Sequence, residues 1–270
     1  MDQQSCISIL ILKIVFMRKN KIIYYLIVLF LIHGCTSKID FTVPDSIPPV
    51  IGNSDLIISE ISTAINTDPN AGGLRSHYVE LYNGTSGNLD LSNYAIGYQS
   101  VSDTSTLSPW SFTAATSLLL HKSLAAGKCY VIISTLADTA LIKSDTSWGT
   151  VPAAASSPLQ LSGNSAIALL KKDAAGTYSL GGNTYKIIDE FGDPGVKRIT
   201  ASGASSARTN FCWPVAGATD TRNRTFWRNK TVTGPTTNWL LSEGSTVTNS
   251  QWTLSGDRAW DYTNVGLPTP

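Results

Sequence analysis

From Asp55 to Phe191 the chain is written in short apolar runs, none long enough for a sizeable helix, each bounded by Gly, Asn, Ser, Thr or Asp. That texture restricts the fold more than any other feature, because short runs closed by turn residues read as strands. Tyr78-Val79-Glu80-Leu81-Tyr82 alternates cleanly, with Val79 and Leu81 on one face and Tyr78, Glu80 and Tyr82 on the other. Leu56 to Ile61 alternates less cleanly: Ile57 and Ser59 are assigned to one face, Ile58 and Glu60 to the other. Further strands are read at 94–98, 118–120, 129–134, 166–170 and 185–191, with Asn83-Gly84 as a turn. No apolar period of 3.6 persists, so little helix is expected, apart from a turn of helix over 138–145. About seven strands with turns between them predict an all-β chain, an immunoglobulin-like β-sandwich.

The start of the chain has a different character. Met17-Arg18-Lys19-Asn20-Lys21 is basic, Ile22 to Ile32 is apolar, and His33-Gly34-Cys35 follows. A basic start, a short apolar stretch and a small residue before the cut are the parts of an export signal. The apolar run is too short to cross a bilayer, which needs about 20 residues. The reading starts translation at Met17 and assigns residues 1–34 to a signal peptide. Gly34-Cys35 resembles a bacterial lipobox, which implies cleavage before Cys35 and a diacylglycerol on its thiol. The basic residues between this run and an earlier one at Cys6–Phe16 argue against one long anchor. Residues 35–54, with Pro44, Pro48 and Pro49, read as a lipidated tether.

Charge excludes some functions. The whole chain carries +1, and loss of residues 1–34 leaves −2, so neither nucleic acid nor anionic lipid heads are electrostatically favoured partners. Membrane attachment would therefore rest on the acyl chains. Only 14% of residues are charged against 42% hydrophobic, which excludes a disordered chain.

The ordered series resembles the lamin-tail domain. Its pieces are Ile57-Ile58-Ser59-Glu60-Ile61, Tyr78-Val79-Glu80-Leu81-Tyr82-Asn83, Leu89-Asp90-Leu91-Ser92-Asn93-Tyr94, Leu124-Ala125-Ala126-Gly127, Leu161-Ser162-Gly163-Asn164, Ile167-Ala168-Leu169-Leu170 and Ile188-Asp189. The resemblance implies an immunoglobulin-type sandwich over 55–196 that binds or tethers, with no catalytic residues to transfer. Residues 197–270 are read as an irregular C-terminal extension of the same domain, with too few clear strands for a core of its own.

Candidate chemistry is sparse. Glu60 and Glu80 could serve glycoside hydrolysis, but alternation alone explains them as solvent-facing or paired with a base, and Asp189-Glu190 reads the same way. Asp68–Gly73 lacks the later acidic ligands of a calcium loop. No Ser/His/Asp arrangement, phosphate-binding loop or metal set is present, so no cofactor and no metal is expected. Cys129 and Cys212 either form a disulfide in an oxidising compartment or remain buried thiols. Lys197 to Lys230 carries a local charge of +6, through Lys197, Arg198, Arg208, Arg222, Arg224, Arg228 and Lys230 against Asp220. These cations either face an anionic ligand or cap acidic groups elsewhere. All seven tryptophans lie at or beyond Trp110. Trp213, Trp239 and Trp252 read as core. Trp110 and Trp227, with Arg224 and Arg228, form the candidate ligand platform.

The leading expectation is a non-enzymatic lipoprotein of the bacterial cell envelope, anchored in the outer membrane through Cys35 and facing the periplasm or the surface. Its partner would be an unknown protein or glycan. The alternatives are a carbohydrate-binding lipoprotein of a surface polysaccharide system and a glycoside hydrolase built on Glu60 or Glu80.

Overall fold

The structure is a computed structural model describing residues 54–63, 77–100, 107–149, 159, 161, 165–196, 199–200, 211–218, 220–256, 259 and 261–267. All of these belong to a compact unit from Ser46 to Pro270; a second unit, Met1–Asp45, contains none of them. The apolar leader, Cys35, the proline-containing tether, the Asp68–Gly73 loop, Lys197, Arg198 and Arg208 lie outside the described residues. No helix among the described residues is long and apolar enough to cross a membrane.

In chain order the strands are β1 Leu56–Ser62, β2 Tyr78–Asn83, β3 Leu89–Asp90, β4 Tyr94–Ser100, β5 Ser117–Leu119, β6 Ser123–Leu124, β7 Cys129–Ser134 and β8 Thr146–Trp148. They continue as β9 Ser165–Lys172, β10 Tyr178–Leu180, β11 Asn183–Phe191, β12 Ile199–Thr200, β13 Phe211–Cys212, β14 Thr225–Arg228 and β15 Trp252–Leu254. One short helix, α1 Trp239–Glu243, precedes β15, its N-terminus capped by the Asn238 side chain, which accepts from the Leu241 N–H. A six-stranded sheet runs β15-β14-β1-β2-β7-β8 and a five-stranded sheet runs β10-β11-β9-β4-β5. All pairings are antiparallel except β7 with β8. The chain is therefore an all-β, immunoglobulin-like sandwich. Residues 138–145 form a single hydrogen-bonded turn in which the Leu141 and Ile142 N–H groups donate to the Asp138 carbonyl, not a helix.

Two β-bulges set which side chains enter the core. In β1, Ile58 faces Leu81 and Glu60 faces Glu80, so Ser59 is the extra residue. In β11, Ile187 faces Leu170 and Asp189 faces Leu169, so Ile188 is extra. A bulge inserts one residue and reverses the alternation beyond it. Leu56, Ile58 and Ile61 thereby all point into the main core, and Glu60 leaves it. This corrects the assignment of Ile58 and Glu60 to one face. Alternation from sequence has no access to an inserted residue.

The main core lies between the sheets. Ile58, Ile61, Val79, Leu81 and Ile132 meet Ile96, Ile167, Leu169 and Phe191 there. Its C-terminal end is aromatic: Phe191 sits 4.8 Å from Phe226, 5.2 Å from Trp239 and 5.1 Å from Trp252, ring centre to ring centre. Trp213, Trp239 and Trp252 are fully buried, as their context predicts. The Trp213 indole N–H donates to the Ser165 carbonyl. Gly192 makes this packing possible: its φ is +76°, and a Cβ there would stand 2.4 Å from the Trp213 ring.

Both sheets are also covered on their outer faces. On the five-stranded sheet, Tyr185, Leu170 and Ala168 lie under Trp110, Phe112 and Tyr178. On the six-stranded sheet, Tyr78, Val131 and Ile133 lie under Ala137, Ile142 and Val265. The C-terminal extension is irregular over much of its length, yet it supplies β14, which pairs directly with β1, and β15. Residues 261–267 then cross the outer face of the sheet: the Gly266 N–H donates to Glu80, the Cys129 thiol to the Leu267 carbonyl, and the Asp261 carbonyl lies 3.4 Å from the Tyr78 hydroxyl oxygen.

Candidate functional site

The residues singled out from sequence separate into three groups. The first is the cationic pair. Arg228 is 1% exposed and Asp189 is fully buried. Two N–H···O bonds of 2.5 Å join the guanidinium to both carboxylate oxygens. Arg228 also donates to the Ile58 carbonyl, Ser242 and Gln251, and its guanidinium lies 4.2 Å from the centre of the Trp252 ring. Asp189 in turn accepts from the Ile58 and Thr236 N–H groups. Arg224 donates to the Asp220 and Ser255 carbonyls, and Arg222 pairs with Asp220. Of the described basic residues of the segment, Arg228 is buried, Arg222 and Arg224 are half-buried, and only Lys230 is exposed. This takes Arg228 off the ligand platform, because a buried guanidinium that caps buried acceptors offers nothing to solvent; Arg224 is half-buried.

The second group is the aromatic pair, which the structure places apart. Trp110, half-buried, stacks on Phe112 at 5.3 Å over the outer face of the five-stranded sheet, and Phe112 meets Tyr178 edge-on at 4.9 Å. The Phe112 ring fills the space above Gly97, where a Cβ would stand 2.3 Å away. Trp110 is thus part of a packed cluster, which corrects its reading as an exposed contact. Trp227 lies on β14 of the other sheet, half-buried, and walls a cleft of about 360 Å³ with Arg228, Asn229, Lys230, Thr253, Asp261 and Asn264. Of the four platform residues, Trp227 and Arg228 border this cleft, and the Arg228 guanidinium is taken up by Asp189.

The third group is the carboxylates. Register sets Thr253, Trp227, Glu60, Glu80 and Val131 side by side across β15, β14, β1, β2 and β7. Glu60 and Glu80 are 1% and 0% exposed. Tyr78 donates its hydroxyl to Glu60 in a very short hydrogen bond. Ser59, released outward by the bulge, donates to Glu80 at 2.6 Å, and the Gly266 N–H reaches the other Glu80 oxygen at 2.6 Å. Burial, reinforced by the charge of Glu80, pushes the Glu60 carboxyl up to about 9. Burial alone raises Glu80 to about 7, opposed by its hydrogen bonds from Ser59 and Gly266. Burial and the neighbouring Glu60 hold the Tyr78 hydroxyl in its neutral form. The pair therefore carries at most about one negative charge near neutral pH, as two close carboxyls in a shared site do. These acids are neither solvent-facing nor matched to a cation. Hydrolysis needs them in contact with substrate, and the strap at 261–267 seals them.

Cys129 and Cys212 are both free thiols in this structure. Burial raises both thiols, and the nearby Glu80 carboxylate raises Cys129 further. Thiols held protonated in this way are poor nucleophiles. No group of three or more His, Cys, Asp or Glu side chains among the described residues is placed to hold a metal ion.

The carboxylate row was hidden from sequence by the bulge and by the strap. One signal did exist: Glu80 shares its face with Tyr78 and Tyr82, a face too aromatic to belong to open solvent.

A family model described as Lamin Tail Domain matches residues 49–192, slightly more than half of the chain. Neither a curated protein nor a solved structure matches it. The matched stretch ends before β14, so Trp227, Arg228 and the strap all belong to the extension beyond it.

Proposed function

The chain belongs to the lamin tail domain family, and from that premise we propose that it is a non-enzymatic binding or tethering protein of a bacterial cell envelope, carried on the outer membrane by a diacylglyceryl group on Cys35. The immunoglobulin-like domain is a display scaffold. Its two sheets are rigidly joined, and its contacts are made by surface loops and by the edge that the extension builds. The observation that carries this reading is where the reactive groups lie. The described acids and bases that could have formed a catalytic set, Glu60, Glu80, Asp189 and Arg228, are inside the fold and bonded to one another, to neighbouring hydroxyls or to backbone. The anchor is supported by the leader: a basic start, a short apolar run and Gly34-Cys35.

The anchor is tested in a bacterium that processes lipoproteins, by expressing the full chain with labelled palmitate. The expected result is a labelled protein in the outer-membrane fraction, with label and membrane retention both lost in Cys35→Ser. An unlabelled, freely soluble wild-type protein would remove the anchor from this reading.

A further inference from the structure

We propose that the cleft beside Trp227 is a binding subsite for a neutral sugar residue of a polysaccharide. This rests on reading the domain as a binding module, and it adds the chemical class of what is bound.

A pyranose ring presents an apolar C–H face and an equator of hydroxyls. Its site therefore needs an aromatic wall and, around it, fixed groups that both donate and accept. The cleft has this composition. Trp227 is its wall, and the indole N–H is buried on the side away from solvent, where it is directed at the Glu60 carboxyl. The ring thus meets the cleft through its apolar part. Asn229 stands at a set angle: its amide donates to the Ser250 carbonyl at 2.7 Å and accepts from Thr253 at 2.6 Å, leaving one amide hydrogen and one lone pair over. Asp261 is held likewise, one oxygen accepting from the Thr263 N–H and hydroxyl while the other stays open. The amide of Asn264 makes no hydrogen bond among the described residues, and Lys230 is exposed at the rim. Preorganised polar groups beside an aromatic face keep the cost of ordering the site low.

Charge selects the class. Among the lining residues Lys230 and Asp261 cancel and Arg228 is neutralised by Asp189, while Glu60 and Glu80 lie behind Trp227 in the same cross-strand row. A uronate or a phosphate would meet Asp261 and the charge behind it, so an acidic polymer is disfavoured. At about 360 Å³ the cleft is at the small end of ligand sites, with room for about one or two rings, so affinity would be modest and built up along a polymer.

The test is affinity electrophoresis and calorimetry of the full chain in detergent against soluble neutral glucans, mannans and galactans, with an alginate and a pectate as acidic controls. The expected result is saturable binding to at least one neutral polymer. It should weaken at least tenfold in Trp227→Ala, weaken measurably in Asn264→Ala, and persist in Trp110→Ala. Asn264→Ala alters only the rim, so it decides the matter if Trp227→Ala fails to fold, as judged by near-ultraviolet circular dichroism. Binding to none of the neutral polymers, binding only to the acidic ones, or binding indifferent to a folded Trp227→Ala or to Asn264→Ala overturns the proposal. Any of these outcomes leaves the lipid anchor untouched, because Cys35→Ser is scored by membrane retention and not by sugar.

Discussion

Arg228 of the C-terminal extension holds Asp189 of the family-matched region in a two-pronged ion pair that joins one sheet to the other. The pairing is a product of the two bulges. The β11 bulge turns Asp189 inward, and the β1 bulge frees the Ile58 N–H to donate to it. One carboxylate therefore satisfies a backbone group left over by an irregular strand and the only described guanidinium that is fully buried.

Asp189→Asn or Arg228→Met should each cost about 3–5 kcal/mol, because each leaves a charge buried without its partner. Arg228→Met combined with Asp189→Leu should cost less than the sum of the two, since no lone charge remains. Urea denaturation followed by tryptophan fluorescence checks both statements. Equal costs for the double change and the summed singles would show that the pair does not act as a unit.

Stability should fall as the solution is made more alkaline. Glu60 and Glu80 hold their protons more tightly when folded than at their ordinary value of 4.5, with folded values of about 9 and about 7. The folded state therefore binds more protons than the unfolded state above pH 4.5, and the slope of stability against pH is negative there. Their stabilising contribution is complete below about pH 4.5 and is lost as pH rises through 7 and on towards 9. Glu190, raised to about 8 mainly by burial, acts in the same direction. Thermal melts between pH 5 and pH 9 should show a falling midpoint, with a shallower fall in Glu80→Gln. A midpoint that rises over that range would contradict the burial of these carboxyls.

Cys129 and Cys212 should alkylate to the same extent in the denatured protein with and without prior reduction, read by mass on the peptides that contain them. In the native protein both should react slowly, Cys212 being completely buried and Cys129 being held protonated beside Glu80. A peptide pair that appears only after reduction would mean that the two are bonded.

A fragment ending at residue 196 should not fold on its own. It keeps the family-matched stretch but loses β14 and β15, which strips the neighbour from β1, the partner from Asp189 and the cover from Glu60 and Glu80. Exposed unpaired β1 backbone is a template for association between copies. Far-ultraviolet circular dichroism and size-exclusion chromatography of the fragment should show lost strand signal or aggregation. A monomeric, cooperatively melting fragment would show that the extension is dispensable.

The sandwich was legible in the sequence because its strands are short, alternating and bounded by turn residues. Val79 and Leu81 on β2 point where their alternation places them. Glu60 does not, because Ser59 is an insertion whose effect exists only against the partner strand. Whether Arg228 faced a ligand or capped an acid was not legible for a similar reason: its acceptor, Asp189, lies 39 residues earlier in the chain. Trp110 read as exposed because its loop is rich in Ser and Thr, yet Gly97 leaves a hollow that Phe112 fills and Trp110 covers. Trp227 kept its place in a candidate site because an open cleft lies beside it, a property of surface shape that residue types do not encode.

β1 is the first described strand of the domain, and on one side it waits for a neighbour made 165 residues later, Ile61 standing opposite Phe226. The six-stranded sheet therefore cannot close until β14 has been made. Such long-range pairing is intrinsically slow, and until it is reached the chain has no finished core to trap it. β14 and β15 act as a fold timer: the domain stays pliable while the residues between β1 and β14 are made and sets only when those strands arrive, a sequence of events that would suit the export proposed above.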